Sequence, residues 1–155
     1  MACDDAPPPL PLAQQLSWRL HRLGKLTDAL TAAAYAQELG LGVAEARALA
    51  AVGAFEPLSV VQLAAHAHLD KAQASRAAQM LVERGLAEKT PSPSDARAVV
   101  LSLTRSGRRL HRQAMRLIDR RNRDTLACLS EAERQQLLAM VDRLIQHAEA
   151  GHETH

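Results

Sequence analysis

The sequence has very few aromatic residues. Trp18, Tyr35 and Phe55 account for 2% of its 155 residues, although 47% of the residues are hydrophobic. A hydrophobic core must therefore be built from leucine, alanine and valine, and these small side chains favour helices packed closely on helices. The composition predicts a mainly α-helical protein.

Cysteines and long apolar runs are also scarce. Two cysteines, Cys3 and Cys128, are too few for a disulfide framework. No apolar segment approaches the roughly 20 residues of a membrane-spanning helix. The first residues are acidic where a secretory signal is basic, and no long apolar region follows them. We therefore expect a cytoplasmic protein that has no membrane partner.

Lysine is rare, and the positive charge is unevenly placed. The chain has 16 arginines but only three lysines, with a formal net charge of +2. Eight of the arginines fall between Arg105 and Arg123. They are either a solvated helix face in a protein from a GC-rich genome or a positive flank beside a polyanion.

Leucine periodicity predicts a long first helix. The proline-rich segment 1–11 is typical of an extended or disordered stretch. From Leu12 onward, apolar residues recur at three- and four-residue steps up to Gly40 and Gly42, where we expect the helix to end. A second helix is predicted over 43–55, before Pro57.

Two capping boxes in quick succession predict a helix-turn-helix. Ser59 and Gln62 form the first box, and Asp70 with Gln73 resembles the same device. They predict a short helix over about 59–66, a tight turn and a longer helix over about 71–84. Gly85 is placed to end the longer helix in a left-handed conformation.

A β-hairpin is predicted to follow. Its strands are 86–90 and 97–103, and turn-forming residues over 91–96 join them. In the second strand, alternation places Val99, Leu101 and Leu103 on one face.

Two further helices are predicted after the hairpin. Thr104 can cap the first, which carries the arginines and runs to about Cys128. Ser130 and Glu133 form a capping box for the last helix. That helix is expected to bury Leu137, Leu138, Val141, Leu144 and Ile145.

The first and last helices are too long and too apolar to be covered by a domain of about 60 residues. A second copy of the chain is the simplest cover, so we expect a two-fold homodimer. The predicted fold is mainly α with a small β-hairpin wing. It has a disordered segment 1–11, dimerisation helices within 12–42 and 105–149, a winged helix-turn-helix over 43–104 and a tail over 150–155.

The order of these parts resembles the MarR (multiple antibiotic resistance regulator) family. The matching pieces are "QLA" at 62–64, "SR" at 75–76, "LVERGL" at 81–86 and the wing "SDARAVVLSLTRSG" at 94–107. The resemblance implies a homodimer that binds a pseudo-palindromic operator in double-stranded DNA. It also implies a regulator that usually represses and that releases DNA when a small molecule or an oxidant acts.

The helix over 71–84 is the predicted DNA reader. With Ala78 as the inward reference, Ala74, Leu81 and Val82 face the core. The outward glutamine and arginine side chains suit base edges in a major groove, and residues at the edges of this face suit phosphates. The predicted DNA-binding residues of this helix are Lys71, Gln73, Ser75, Arg76 and Gln79.

The hairpin tip supplies the last two predicted DNA-binding residues. Arg97 resembles the family's wing arginine, which suits the negative potential of a narrow minor groove. Asp95 resembles the acid that precedes it and can hold the tip through a salt bridge. Ala96 departs from the basic or glycine residue that is common between the two, so one possible contact is missing.

The effector is the least specified part. Ligand pockets in the family lie where the dimerisation helices meet the DNA-binding lobe. One aromatic ring and a guanidinium would suit an aromatic acid, a phenol or an acyl thioester. The candidate ligand residues are Trp18, Arg19, His21, Arg22, Arg47 and His111.

Other classes of function have weaker support. The positions of Cys3 and Cys128 do not favour redox sensing, and His66 with His68 is two ligands short of a zinc site. The sequence has no phosphate-binding loop, nucleophile elbow or metal cluster, so we expect no enzyme activity, metal or cofactor. The alternative is a dimeric helical module that binds another protein and not DNA.

Overall fold

Six α-helices and one β-hairpin make up the part of the chain that the structure, a computed structural model, describes: residues 9–92 and 98–152. A single 3-10 turn over Leu12–Gln14 precedes them. In chain order the elements are α1 (Leu16–Leu39), α2 (Val43–Phe55), α3 (Val60–Ala67), α4 (Lys71–Glu83), β1 (Ala87–Pro91), β2 (Val99–Leu103), α5 (Arg105–Thr125) and α6 (Glu131–His152).

The helices begin and end where the local sequence signals place them. Gly40 closes α1 with φ 62°, and its N–H donates to the Tyr35 carbonyl oxygen. The Ser59 hydroxyl accepts from the Gln62 N–H at 3.2 Å, which fixes the start of α3. Gly85 follows α4 with φ +67°, a conformation that glycine adopts without strain. The predicted boundaries of α1 to α4 are thus confirmed to within a few residues.

The chain divides into two compact units at Leu117, within α5. The first unit contains α1 to α4, the hairpin and the first part of α5. Its core is made of leucine, alanine and valine, with Leu49, Leu63 and Leu81 fully buried. Tyr35 is the one aromatic residue in this core at 6% exposure, whereas Phe55 is 54% exposed. The prediction that leucine, alanine and valine build the core is confirmed, with Tyr35 as an addition to it.

The hairpin is tied to the helices at its base. β1 and β2 pair antiparallel with Ala87 opposite Leu103, and Leu101 also exchanges two hydrogen bonds with Leu58, of 2.8 and 3.1 Å. Leu101 and Leu103 are buried as predicted, but Val99 is 52% exposed and Val100 is buried instead. Burial therefore does not follow the alternation of faces along β2, because β2 is covered on both faces near its base and Val99 lies at the outer end.

The second unit consists of the end of α5, a turn over 126–129 and α6. The α6 start is capped as predicted, since the Glu133 carboxylate accepts from the Ser130 N–H at 2.7 Å. The expected burial of the α6 apolar residues is wrong for the single chain. Leu138, Leu144 and Ile145 are each about half exposed, because no element of this short unit covers them.

One face of α1 is leucine-rich and uncovered. At 100° per residue its leucines fall within about 120° of one another. None of the described helices is long and apolar enough to cross a membrane. A single copy of the chain leaves the side chains of this face, which we call the α1 leucine face, 53–61% exposed. These side chains are Leu16, Leu20, Leu23, Leu26 and Leu30.

A close backbone contact joins α5 to the base of the hairpin. A Cβ atom on Gly107 would lie 1.8 Å from the Leu86 carbonyl oxygen. We predict that Gly107→Ala lowers the free energy of unfolding by about 3 kcal/mol, because the backbones must separate. The neighbouring exposed Ser106→Ala is the control and should change it by less than about 0.5 kcal/mol. Urea unfolding measures both, and equal stability of the two variants would contradict this packing.

Candidate nucleic-acid interface

The start of α4 is fixed by a reciprocal cap. The Asp70 carboxylate accepts from the Gln73 N–H at 2.7 Å, and the Gln73 side-chain oxygen accepts from the Asp70 N–H at 3.2 Å. These bonds satisfy backbone donors that the first helical turn leaves without a partner. The cap thus orients the first turn of α4, where Lys71 and Gln73 lie.

Small residues seat α4 on the rest of the first unit. Ala74, Ala77, Ala78 and Leu81 are buried on its inner side, where α2 and α3 pack against it. Alanines allow the helices to approach closely. All five predicted DNA-binding residues of α4 are exposed: Lys71, Gln73, Ser75, Arg76 and Gln79.

Arg76 and Gln73 border a shallow groove next to α2. The groove has a volume of about 340 Å³ and is also lined by Ala44, Glu45 and Met80. The Glu45 carboxylate accepts from the Gly42 N–H at 2.9 Å. This bond holds the Glu45 side chain at the start of its own helix, and among the described residues no ion pair joins it to Arg76. The Arg76 guanidinium can therefore serve an external acceptor.

Gln79 is held by two neighbours that sequence reasoning missed. Its side-chain oxygen accepts from Lys89 Nζ at 3.0 Å, and its Nε2 donates to the Glu83 carboxylate at 2.9 Å. A glutamine amide has two acceptor lone pairs and two donor hydrogens, so one of each remains for a base edge. Glu83 lies one helical turn away and could have been inferred from its spacing. Lys89 comes from β1, and no local signal pointed to it.

The base of the wing is positioned by Glu56, which sequence reasoning also missed. One Glu56 carboxylate oxygen accepts from the Leu103 N–H at 2.6 Å, and the other accepts from the Arg108 guanidinium. Thr104 adds a second tie, since its hydroxyl donates to the Gly85 carbonyl oxygen at 2.7 Å and accepts from the Gly107 N–H at 3.0 Å. These contacts fix the hairpin base beside the end of α4.

The wing tip itself is outside the described residues. The hairpin can be followed to a hydrogen bond of 2.8 Å from the Ser92 N–H to the Ala98 carbonyl oxygen. Asp95 and Arg97 lie between these two residues, so their predicted roles stay predictions.

Three of the six predicted ligand residues line one pocket at the start of α1. The pocket has a volume of about 380 Å³, and its walls include Trp18, Arg19 and Arg22. The Arg22 guanidinium lies 5.2 Å from the centre of the Trp18 ring, within cation–π range. Arg19 donates through Nε to the Ala13 carbonyl oxygen at 3.3 Å. A ring and two guanidinium groups thus share one open site.

The other three predicted ligand residues lie elsewhere. His21 is exposed and is not among the residues that line this pocket. Arg47 pairs with Asp28 of α1 at 3.1 Å. His111 packs so closely on Gly53 of α2 that a Cβ there would lie 2.3 Å from its ring. The structure therefore does not gather all six residues into one site within a single chain.

Together, the capped α4 beside a hairpin tied to its end defines a winged helix-turn-helix protein. Residues 39–98 match the model of the MarR family, and no curated protein matches the chain significantly in sequence. The stretch 39–98, which contains α2, α3, α4 and the start of the wing, is therefore similar to the MarR family.

Solved structures share the fold over most of the chain. A probable transcriptional regulator from Pseudomonas aeruginosa is 27% identical and covers 86% of this chain and 99% of its own, with a TM-score of 0.72. A MarR/EmrR family regulator from Acinetobacter is 24% identical, and the match covers 91% of this chain and 99% of the regulator, with a TM-score of 0.80. Bordetella bronchiseptica BpsR is 22% identical, and the match covers 88% of this chain and 97% of BpsR, with a TM-score of 0.78. The DNA binding of BpsR is regulated by 6-hydroxynicotinic acid.

Tyr35 gives a pH-dependent test of the contact between α1 and α2. Burial raises the pKa of its hydroxyl above the ordinary value, while the Arg47 charge lowers it and the Asp28 charge raises it. A raised pKa means that the neutral phenol is favoured in the folded state. The resulting stabilisation is complete below the ordinary pKa of about 10 and is lost as the pH rises through the folded value.

We therefore predict that the free energy of unfolding falls above about pH 10 and that Tyr35→Phe removes part of this fall. Tyr35 is the only tyrosine, so tyrosinate absorbance reports on it alone. Titration of the folded protein at the ordinary pKa would contradict its burial.

Proposed function

We propose that the chain is a homodimeric, ligand-responsive repressor that reads a pseudo-palindromic operator. The observation that carries this proposal is the exposed polar side of α4 next to the fixed base of the wing. In this proposal α4 enters a major groove and the hairpin tip reaches the neighbouring minor groove. The winged helix-turn-helix over 43–104 reads DNA, and the dimerisation helices lie within 12–42 and 105–149.

The exposed residues of α4 have two proposed roles, contacts with base edges and contacts with phosphates. Arg76 can pair with guanine through two hydrogen bonds, and Gln73 or Gln79 can pair with adenine. Lys71 and Ser75, at the edges of this side, are assigned to phosphates, which position the protein without reading sequence. The segment 43–104 has six basic and six acidic residues. Affinity therefore depends on where the charges lie and not on an overall basic domain.

The α1 leucine face supports the homodimer. In a two-fold interface the same patch occurs on both subunits. Burying a leucine that is otherwise exposed contributes about 1.5–3 kcal/mol, so a few of these side chains suffice for a stable interface. Two copies of α4 would then face two successive turns of the duplex.

The pocket at Trp18 supports an aromatic acid or acyl thioester as the effector. A planar anion can stack on the indole and pair with the guanidinium of Arg19 or Arg22. BpsR responds to an aromatic acid of this kind. The release of DNA upon binding is part of the same proposal.

The DNA contacts predict different phenotypes for two arginine variants. Arg76→Ala should lose about 1–3 kcal/mol of discrimination at one base pair of each half-site. Arg97→Ala should weaken binding to all sequences. It should also reduce the slope of log affinity against log salt by about 1 per protomer, because one phosphate contact is lost. Arg123→Ala, which removes an exposed arginine paired with Asp119 at 2.8 Å, is the control.

Gel shifts with the chain's own upstream region at two salt concentrations measure these effects. If both variants bound like the unsubstituted chain, the assignment of these contacts would be wrong. Binding of no duplex at all would favour a protein-binding module.

The effector pocket predicts a fluorescence response. Trp18 is the only tryptophan, so its emission reports directly on this site. Titration with 6-hydroxynicotinic acid and with benzoate should give saturable quenching, and the same compounds should weaken operator binding. Arg22→Ala should raise the apparent Kd at least tenfold, whereas Lys25→Ala on the same helix should not. Non-saturable quenching that is equal in all three proteins would exclude this pocket.

A further inference from the structure

The outer side of α5 carries four arginines without opposite charges. Arg105, Arg109, Arg112 and Arg116 recur at steps of four, three and four residues, and all four are exposed. At 100° and 1.5 Å per residue they lie within about 60° of one another and extend over about 17 Å of helix. Among the described residues, none of them forms an ion pair. We call these four side chains the α5 arginine face.

Nearby arginines with structural roles lie off this face or beyond it. Arg108 is engaged by Glu56 at the wing base, and Arg123 pairs with Asp119. The segment 96–118 contains no aspartate or glutamate. Like charges three or four residues apart destabilise a helix, so the α5 arginine face opposes helix stability in the isolated chain. An external anion would remove that repulsion.

The rest of α5 restricts what this anion can be. The opposite side is used by the chain's own core, where Gly107, Ala114 and Leu117 are buried. A helix that lies on a membrane needs an apolar side for the lipid, whereas Met115 is the one large apolar residue of α5 that is exposed. A protein partner usually contributes apolar or aromatic anchors at the centre of its interface, and the four positions of this face offer only guanidinium groups. A regular row of phosphates fits such a face best.

We propose that the α5 arginine face binds the phosphate backbone of duplex DNA outside the operator that α4 reads. The inference rests on the proposed function. It is supported by continuity along the chain, since α5 begins one residue after Thr104, whose hydroxyl is bonded at the wing base. B-DNA carries one phosphate per 3.4 Å along each strand, so about five phosphates of one strand span the length of the face.

Salt dependence of DNA affinity tests the proposal. The unsubstituted chain first selects a short operator from random sequence, and a second duplex carries the same operator with long flanks on both sides. The fourfold variant Arg105→Gln, Arg109→Gln, Arg112→Gln and Arg116→Gln is compared with the fourfold lysine variant, which keeps the charge. Arg123→Gln controls for the loss of one charge elsewhere on the helix. Fluorescence anisotropy gives the slope of log affinity against log salt for each protein and duplex.

On the long duplex, the glutamine variant should have a shallower slope by about 0.9 for every arginine engaged. The lysine and Arg123→Gln variants should keep nearly the original slope, and the short operator should show little difference among all proteins. The glutamine variant should also melt at the same or a higher temperature, because the repulsion is gone.

Equal slopes for the glutamine variant and the unsubstituted chain on the long duplex would overturn the inference. An equal reduction of the slope on both duplexes would also overturn it, because the face would then lie on the operator itself. So would a loss of affinity that the glutamine variant shows only for single-stranded RNA used as a competitor. The proposed function is judged separately, by whether an operator is selected at all and whether Arg76→Ala loses preference for it.

Discussion

The uncovered α1 leucine face is the constraint on which the functional account depends. A chain of 155 residues builds its core from small side chains and still leaves a row of leucines more than half exposed. Exposed apolar area of this kind is removed from water most simply by a second copy of the same helix. Pairing would convert one exposed α4 into two, which is what a two-fold symmetric operator requires. The proposed recognition of DNA therefore depends on dimerisation, which covers the apolar surface that a single copy leaves exposed.

Local signals in the sequence predicted most of the first unit. Capping boxes at Ser59 and Asp70 and left-handed glycines at Gly40 and Gly85 depend on interactions within a few residues, so the pattern itself reveals them. The hairpin was predicted for the same reason. The burial of Val100 in place of Val99 was not, because it depends on contacts with segments far away in the sequence.

The part of the candidate site that lies on a single helix could be predicted from the sequence, and the contacts between elements could not. The exposed side of α4 follows from helical periodicity alone. The contact of Lys89 with Gln79 joins residues ten positions apart on different elements, and that of Glu56 with Leu103 joins residues 47 apart. No periodicity encodes such pairs. The predicted ligand residues shared chemistry but not position, so only Trp18, Arg19 and Arg22 line a common pocket.

Sedimentation equilibrium of the full chain at micromolar concentration tests the pairing of α1 most directly. Pairing through α1 should give the unsubstituted chain a mass of twice 16.8 kDa. Leu20→Glu with Leu23→Glu, which alters two exposed side chains and leaves the core of the first unit intact, should give a folded monomer that no longer binds the operator. An unsubstituted chain that sediments at 16.8 kDa, or a double variant that stays dimeric and binds DNA normally, would contradict the account.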